Sequence, residues 1–177
     1  MGRLSLTLVI VSMNTFSKQE YKAQQLLKKP ENYPNLIERE EFERKLLVFC
    51  YPSFKPYTSW ALFKTQNTYW LRRVTWDRSL RFPSYEAEPH TFGCEVCFQN
   101  NLAEKILLSL SLISLNPFVQ PNVVGVDGTI YGIEVGNHWF SCSLRWWCSP
   151  PHNWKALNYW YQETVDIFET ALPDRTL

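Results

Sequence analysis

The residues whose spacing is best suited to chemistry are four of the five cysteines in this sequence. Cys94 and Cys97 form a CxxC pair, and Cys142 and Cys148 are separated by five residues. Four thiolates can hold a structural zinc ion in a tetrahedral site. However, no glycine or proline lies between Cys94 and Cys97 to shape a zinc knuckle, and Cys148 follows the expected end of the strand that carries Cys142. The pattern therefore favours reduced thiols buried as small apolar side chains over a metal site.

The histidines and carboxylates add no catalytic pattern. Each histidine lies in a loop or beside a turn, and none has HExxH or CxxCH spacing: His90, His138 and His152. The sequence has no Gly-rich phosphate loop, no GxSxG elbow and no paired-carboxylate signature. These observations predict no cofactor and favour a protein without catalytic residues, while an active site assembled from distant residues stays open as an alternative.

A strand near the C-terminus combines tryptophan and arginine on one face. Side chains alternate between the two faces of a strand, so residues 139–147 divide into two sets. The first set is apolar and is typical of a core: Phe140, Cys142, Leu144 and Trp146. The second set carries Trp139, Arg145 and Trp147 among serines, a composition typical of interface hot spots. The alternative is a sheet covered on both faces, in which Arg145 stacks on a ring.

A second polar and aromatic cluster follows an earlier strand. Its members are Arg72, Arg73, Trp76, Asp77, Arg78 and Arg81. Such a cluster could bind a phosphate or an acidic patch of a partner. Alternatively, it is a solvated strand end with internal Arg–Asp pairs. The predicted partner-binding residues are Arg73, Trp76 and Asp77 of this cluster, together with Trp139, Arg145 and Trp147 of the later strand.

Helix signals dominate the first part of the chain. Ser17 and Glu20 form a capping box for a helix over 18–28. A second helix is predicted from Asn35 through Phe49, with its charged run as a solvated face.

Strand signals then alternate with one further helix. Apolar alternation over 58–76 predicts an antiparallel hairpin, and residues 77–90 form a loop long enough to suggest a functional role. A short strand over 92–98 and an amphipathic helix over 102–113 follow.

The last third predicts a meander and a final helix. Asp127-Gly128 is expected to form a type I′ turn between strands over 123–126 and 129–135. The strand over 139–147 is the third strand of the meander. The last helix begins at Pro150. The predicted fold is α+β: an antiparallel sheet, made of a hairpin plus a three-strand meander, with helices packed on one face.

Composition limits the classes of function. The 177 residues carry 18 basic and 17 acidic side chains, a balance that argues against nucleic-acid binding. The apolar run over 4–11 is too short to span a bilayer and lacks a cleavage site, so we expect no membrane association and a cytoplasmic protein. Residues 1–12 are either an N-terminal strand or a segment upstream of a natural start at Met13, which gives one domain over 13–177.

Three local patterns resemble a family of small uncharacterised bacterial proteins of cyanobacterial type. They are a DGTxY hairpin, a strand ending in tryptophan and a PPxxW helix start, here carried by Asp127, Gly128, Thr129, Tyr131, Trp146, Trp147, Pro150, Pro151 and Trp154. The resemblance covers the chain after Thr58 and is strongest in its last third. Because some small bacterial proteins of similar layout neutralise toxins encoded beside them, the resemblance implies an immunity-type role.

Taken together, the residues predict a non-catalytic protein-interaction module, immunity-type or regulatory, that binds through an aromatic and arginine-bearing sheet face. Its partner would be another protein or a second copy of the chain. The alternative is an enzyme or small-ligand-binding protein with a pocket between the sheet and the 77–90 loop.

Overall fold

The computed structural model describes residues 18–79, 88–116, 127–136 and 139–174. Its strands are β1 (Arg44–Pro52), β2 (Tyr57–Thr65), β3 (Thr68–Trp76), β4 (Thr91–Phe98), β5 (Thr129–Gly136) and β6 (Ser141–Trp147). Its α-helices are α1 (18–28), α2 (Asn100–Ser111) and α3 (Lys155–Ala171), and short 3-10 turns lie at Pro30–Asn32, Glu41–Glu43 and His152–Trp154. No described helix is long and apolar enough to cross a membrane.

The strands form one antiparallel sheet in the order β4-β3-β2-β1-β5-β6, so the predicted α+β class is confirmed. The predicted hairpin is β2–β3, in which Thr65 faces Thr68 across the two-residue turn. Gln66 adopts a positive φ of 54° at this turn, as tight hairpin turns require. The strand and the helix predicted next are also present, as β4 and α2.

The predicted second helix is wrong, because much of it is strand β1 at the middle of the sheet. Leu46 and Val48 are buried on one face, and Leu47 and Phe49 are buried on the other. A strand covered on both faces has a continuous apolar sequence. Such a run cannot be told from a buried helix by periodicity alone.

Strand β5 lies between β1 and β6, so the meander differs from the prediction. Gly128 does not have a positive φ, which rules out the type I′ turn predicted there. Instead its carbonyl accepts a hydrogen bond from the Ser53 amide at 2.8 Å, and this bond extends the β1–β5 pairing. The strand predicted over 123–126 lies outside the described residues.

Several other predictions also fall outside the described residues. These are the segment 1–12, the Ser17 cap, Arg81, His138 and the 80–87 part of the predicted loop.

Helices lie on both faces of the sheet. We call the face covered by α2 and α3 the core face; its buried residues include Val48, Trp60, Leu71, Ile133 and Trp146. Tyr161 of α3 donates a hydrogen bond to the Phe49 carbonyl at 2.9 Å. The expected packing on one face therefore holds for α2 and α3, whereas α1 packs Ala23 and Leu27 against Val74 and Trp76 on the opposite face, the outer face.

Residues 18–39, which we call the N-terminal segment, are held to the outer face by a buried ionic cluster. The carboxylate of Glu95 accepts hydrogen bonds from Arg39 Nη2 at 2.6 Å and Arg72 Nε at 2.9 Å. Arg72 is fully buried, and burial lowers the pKa of its guanidinium, an effect that the nearby carboxylate partly offsets. Its Nη1 also donates to the Pro30 carbonyl at 2.6 Å and its Nη2 to the Ile37 carbonyl at 2.5 Å. Arg72 of β3 thus contacts β4 through Glu95 and residues 30–37 through two backbone carbonyls.

Removal of this carboxylate is the sharpest stability test of the fold. We expect Glu95→Ala to lower the free energy of unfolding by about 3–5 kcal/mol, since two buried guanidinium groups lose their shared partner. Glu88→Ala is the matched control because Glu88 forms an exposed pair with Lys22, and it should change stability by less than about 1 kcal/mol. Urea unfolding followed by circular dichroism measures both; equal losses would contradict the role assigned to Glu95.

Candidate interaction surface

The N-terminal segment covers β3 and its neighbours on the outer face but leaves the other half of that face accessible. We call this half the open face. It consists of the outward side chains of β5 and β6: Ile130, Gly132, Glu134, Ser141, Ser143, Arg145 and Trp147. Ile130, Ser141, Ser143 and Arg145 are exposed to solvent. The predicted alternation of the 139–147 strand is therefore present over β6, with Leu144 and Trp146 on the core face.

Arg145 is the most prominent charged group of the open face. Its side chain is 55% exposed, and its Nη2 lies 3.3 Å from Glu134 Oε1. The guanidinium carbon lies 5.4 Å from the centre of the Phe49 ring, within the range of a cation–π contact. The ring and the carboxylate hold the guanidinium in place while leaving much of it accessible to a partner.

The ring beneath Arg145 belongs to an aromatic row that crosses the sheet. Phe49 stacks on Tyr51 with ring centres 4.8 Å apart, Tyr51 stacks on Tyr57 at 4.9 Å, and Tyr57 meets Trp76 edge-on at 5.5 Å. Burial raises the pKa of the Tyr51 hydroxyl, as does the negative charge of Glu134. The row gives the open face a rigid support, because each ring is packed by the next.

Two glycines allow rings to lie flat against the strands of this face. A Cβ atom built on Gly132 would lie 2.1 Å from the Phe49 ring, and one on Gly128 would lie 2.6 Å from the Trp147 ring. Aromatic side chains commonly cover strand glycines in this way. Because Gly132 has no side chain, the Phe49 ring can lie close to the backbone of β5 beneath Arg145.

A cleft of about 540 Å³ opens where β5 and β6 meet the 3-10 turn Glu41–Glu43. Its charged lining residues are Glu40, Glu41, Arg44, Glu134 and Arg145. Arg44 lies 2.9 Å from Glu31 and 3.9 Å from Glu134, so Glu134 sits between two arginines. Opposite charges are paired inside the cleft, an arrangement that suits recognition of a polar surface.

Exposed aromatic side chains lie at the same end of the sheet as the cleft. Phe42 is 54% exposed and lines the cleft, and Trp139 and Phe140 are 90% and 58% exposed just before β6. Large exposed aromatic residues around an arginine are typical of interfaces. Trp139 therefore lies just before the end of β6 that carries the cleft, Arg145 lines the cleft, and Trp147 lies at the opposite end of β6.

The remaining residues of the predicted set do not join this surface. Arg73 lies on the core face, where its Nη1 is 2.6 Å from Glu169 of α3. Trp76 is buried beneath α1, and Asp77 Oδ1 accepts hydrogen bonds from the Ser79 amide and hydroxyl at 2.8 and 2.7 Å. Burial removes Arg73 and Trp76 from a partner-binding role, and the Asp77 carboxylate stabilises a turn. Arg72 and Arg73 are buried and pair with Glu95 and Glu169, so this part of the cluster also differs from the solvated strand end with Arg–Asp pairs of the alternative interpretation.

Three residues of the surface were missed in the sequence. Phe49 and Arg44 were assigned to the second predicted helix, and Glu134 was not singled out. The pairing of Glu134 with Ser143 follows from the hairpin register, which could have revealed the contact with Arg145 two residues further on. No sequence pattern near Arg44 indicated that its side chain lies beside Glu134.

The cysteines cannot form the four-thiolate site considered above. Cys94 and Cys97 lie on opposite faces of β4, and Cys142 lies on β6 at the other edge of the sheet. Five strand intervals separate these edges, a distance of about 24 Å. Among the described residues, no group of three or more His, Cys, Asp or Glu side chains could hold a metal ion.

A second cleft, of about 370 Å³, lies beside β4. It is lined by residues of both faces, including Tyr33, Arg73, Thr91, Cys94 and Asp174. The Tyr33 hydroxyl donates to Thr91 Oγ1 at 3.3 Å, and burial raises its pKa. The cleft begins next to the described end of the loop predicted to shape a ligand pocket.

Comparison with known proteins adds no relative: no family model, no curated protein and no solved structure matches the chain.

Substitution of Gly132 tests how the open face is supported. We expect Gly132→Ala to lower the free energy of unfolding by about 1–3 kcal/mol, because the added methyl group collides with the buried Phe49 ring. Gly136→Ala is the control, since its nearest contact would be the Phe140 carbonyl at 3.0 Å, and it should cost less. Thermal unfolding measures both, and an equal or smaller loss for Gly132→Ala would contradict this packing.

Proposed function

We propose that the protein is a non-catalytic interaction module that binds another protein molecule through the open face. The observation that carries the proposal is Arg145, which is held between Phe49 and Glu134 yet remains 55% exposed. An arginine fixed in this way loses little side-chain entropy when a partner binds. Arginine and tryptophan are also the residues that most often dominate binding energy at protein interfaces.

The charges of the cleft support recognition of a partner. Glu134 lies between Arg44 and Arg145. Charged groups fixed by their neighbours can guide the approach and orientation of a partner.

The physiological role that we propose is immunity-type or regulatory, in the cytoplasm. The immunity-type role is supported by the likeness in layout to small bacterial proteins that neutralise toxins encoded beside them. The cytoplasmic location is supported by the five free cysteines of the structure, which suit a reducing compartment.

A second candidate function is small-ligand binding in the cleft beside β4. The favouring observation is that Tyr33, Arg73 and Asp174 all line one cavity. A thermal-shift screen of small anions and metabolites tests it; a ligand whose stabilisation disappears in Tyr33→Phe would favour this function.

Capture of partners from the protein's own host tests the main proposal. The tagged chain should retain one stoichiometric protein, identified by mass spectrometry. Arg145→Ala and Trp139→Ala should each weaken its binding at least about tenfold, since each removes an accessible anchor. Tyr159→Ala is the matched control, because Tyr159 is 71% exposed on α3. Equal binding by all three variants, with the fold intact, would count against the open face and against Trp139 beside it.

A further inference from the structure

Strand β4 forms the edge of the sheet opposite β6 in the part of the chain that the structure describes. Just before this strand, the Asp77 amide donates to the His90 carbonyl at 3.1 Å. Because hydrogen-bonded and non-hydrogen-bonded pairs alternate in an antiparallel ladder, the even-numbered residues of β4 direct their backbone groups toward β3. The odd-numbered residues direct theirs away from the sheet. Such an edge can pair with a further strand.

The edge of β4 has little of the protection that usually prevents strand pairing. The strand contains no proline and no lysine, two residues that commonly block an edge. Its one charged side chain, Glu95, is committed to Arg39 and Arg72 on the outer face. The Gly93 and Glu95 amides form no hydrogen bond with any residue that the structure describes. These two donors are therefore available to an added strand.

The cleft of about 370 Å³ beside β4 passes round this edge, because its lining residues come from both faces of the sheet. On the outer face, the Tyr33 ring lies directly over Gly93. On the core face, Arg73 Nη2 donates to the Pro173 carbonyl at 3.0 Å, which holds the residues after α3 beside β4. The edge of β4 thus divides the cleft into an outer half and a core half.

We propose that this cleft binds an extended peptide segment of another protein, which pairs with β4 as an added antiparallel strand. The inference does not involve the open face; it rests on the second candidate function, because it names the class of ligand for the same cleft. Successive side chains of a strand point to opposite faces. A strand laid along β4 therefore places its side chains alternately in the two halves of the cleft, while its main chain meets the outward backbone groups.

The two halves of the cleft differ in chemistry. The outer half is lined mainly by the side chains of Tyr33, Pro34 and Leu36. In the core half, Asp174 is exposed and forms no ion pair with any described residue, whereas Arg73 is buried and paired with Glu169. The accessible charge is thus negative. The peptide that fits has apolar side chains toward the outer half and basic side chains, alternating with them, toward the core half.

The edge strands of this chain do not have that pattern. Antiparallel pairing of two copies keeps the outer faces on the same side of the joined sheet. A second copy would then place uncharged side chains in the core half, such as Cys94 and Val96 of β4 or Cys142 and Leu144 of β6. None of these side chains can pair with Asp174. A basic and apolar segment of a different protein therefore suits the cleft better than a second copy.

A labelled peptide is the first test. The probe is a capped peptide of eight residues, the length of β4, in which valine and arginine alternate. Fluorescence anisotropy with the full chain should show saturable binding. The same peptide with glutamate in place of arginine should bind at least about fivefold more weakly, because it brings negative charge to Asp174. Absence of saturable binding by the valine–arginine peptide overturns the proposal.

Backbone methylation tests the pairing itself. In an antiparallel pair, residues that face each other share one side of the sheet, so the valines are the residues that bond Gly93 and Glu95. N-methylation of the valines should weaken binding at least about tenfold, because it removes the amides that β4 bonds. N-methylation of the arginines is the control and should weaken binding less. Equal affinities of the two methylated peptides overturn strand addition.

Charge reversal tests the core half. Asp174→Lys should reverse the preference, so that the valine–glutamate peptide binds more tightly than the valine–arginine peptide by at least about threefold. Glu163→Lys is the matched control, because Glu163 is exposed on α3 and does not line the cleft. It should retain the preference for arginine. An unchanged preference in Asp174→Lys overturns the assignment of the basic side chains to this half.

The outcomes separate this inference from the candidate functions. A chain that binds no peptide but is stabilised by a small ligand, with stabilisation lost in Tyr33→Phe, overturns strand addition and retains the second candidate function. A chain that binds neither overturns both. Self-association that the peptide displaces would identify a second copy as the occupant and overturn the peptide. Partner capture through the open face is measured separately, since β5 and β6 lie at the other side of the sheet.

Discussion

The carboxylate of Glu95 is the contact on which the outer half of the molecule depends. It stands between two buried guanidinium groups, those of Arg39 and Arg72. Two arginines and one carboxylate would be costly to bury if any of them lacked partners. The remaining donors of Arg72 find partners in the Pro30 and Ile37 carbonyls. These hydrogen bonds fix a segment with little regular structure to β3. The position of α1 on the outer face follows from this attachment.

The same attachment decides which part of the outer face is accessible. Because the N-terminal segment is drawn toward β3 and β4, it covers one half of the outer face and leaves β5 and β6 accessible. The aromatic row connects the two halves: it begins at Trp76 beneath α1 and ends at Phe49 beneath Arg145. The support of the accessible surface is therefore continuous with the buried packing, and the surface is rigid for that reason.

The sequence predicted correctly those elements whose determining residues lie within a few positions of each other in the chain. The β2–β3 hairpin and α2 follow from turn chemistry and periodicity within a few residues, and the face occupied by Arg145 follows from alternation alone. The assignment of β1 failed because burial on both faces removes the alternation. Arg73 was misplaced because its partner, Glu169, lies 96 residues away. No local pattern could show that this guanidinium is used inside the fold.

The arginines of this chain show why burial, more than residue type, separates arginines committed to contacts inside the fold from those that solvent can reach. Arg39, Arg78 and Arg145 each lie over an aromatic ring. Arg39 is buried with Glu95, and Arg78 donates to the Ser53 carbonyl and the Tyr57 hydroxyl, so their donors are committed inside the chain. Arg145 has the same support from a ring but is half exposed. Its position is fixed by contacts within the chain and its remaining donors are accessible, so a partner of the kind proposed above would meet it at a lower entropy cost.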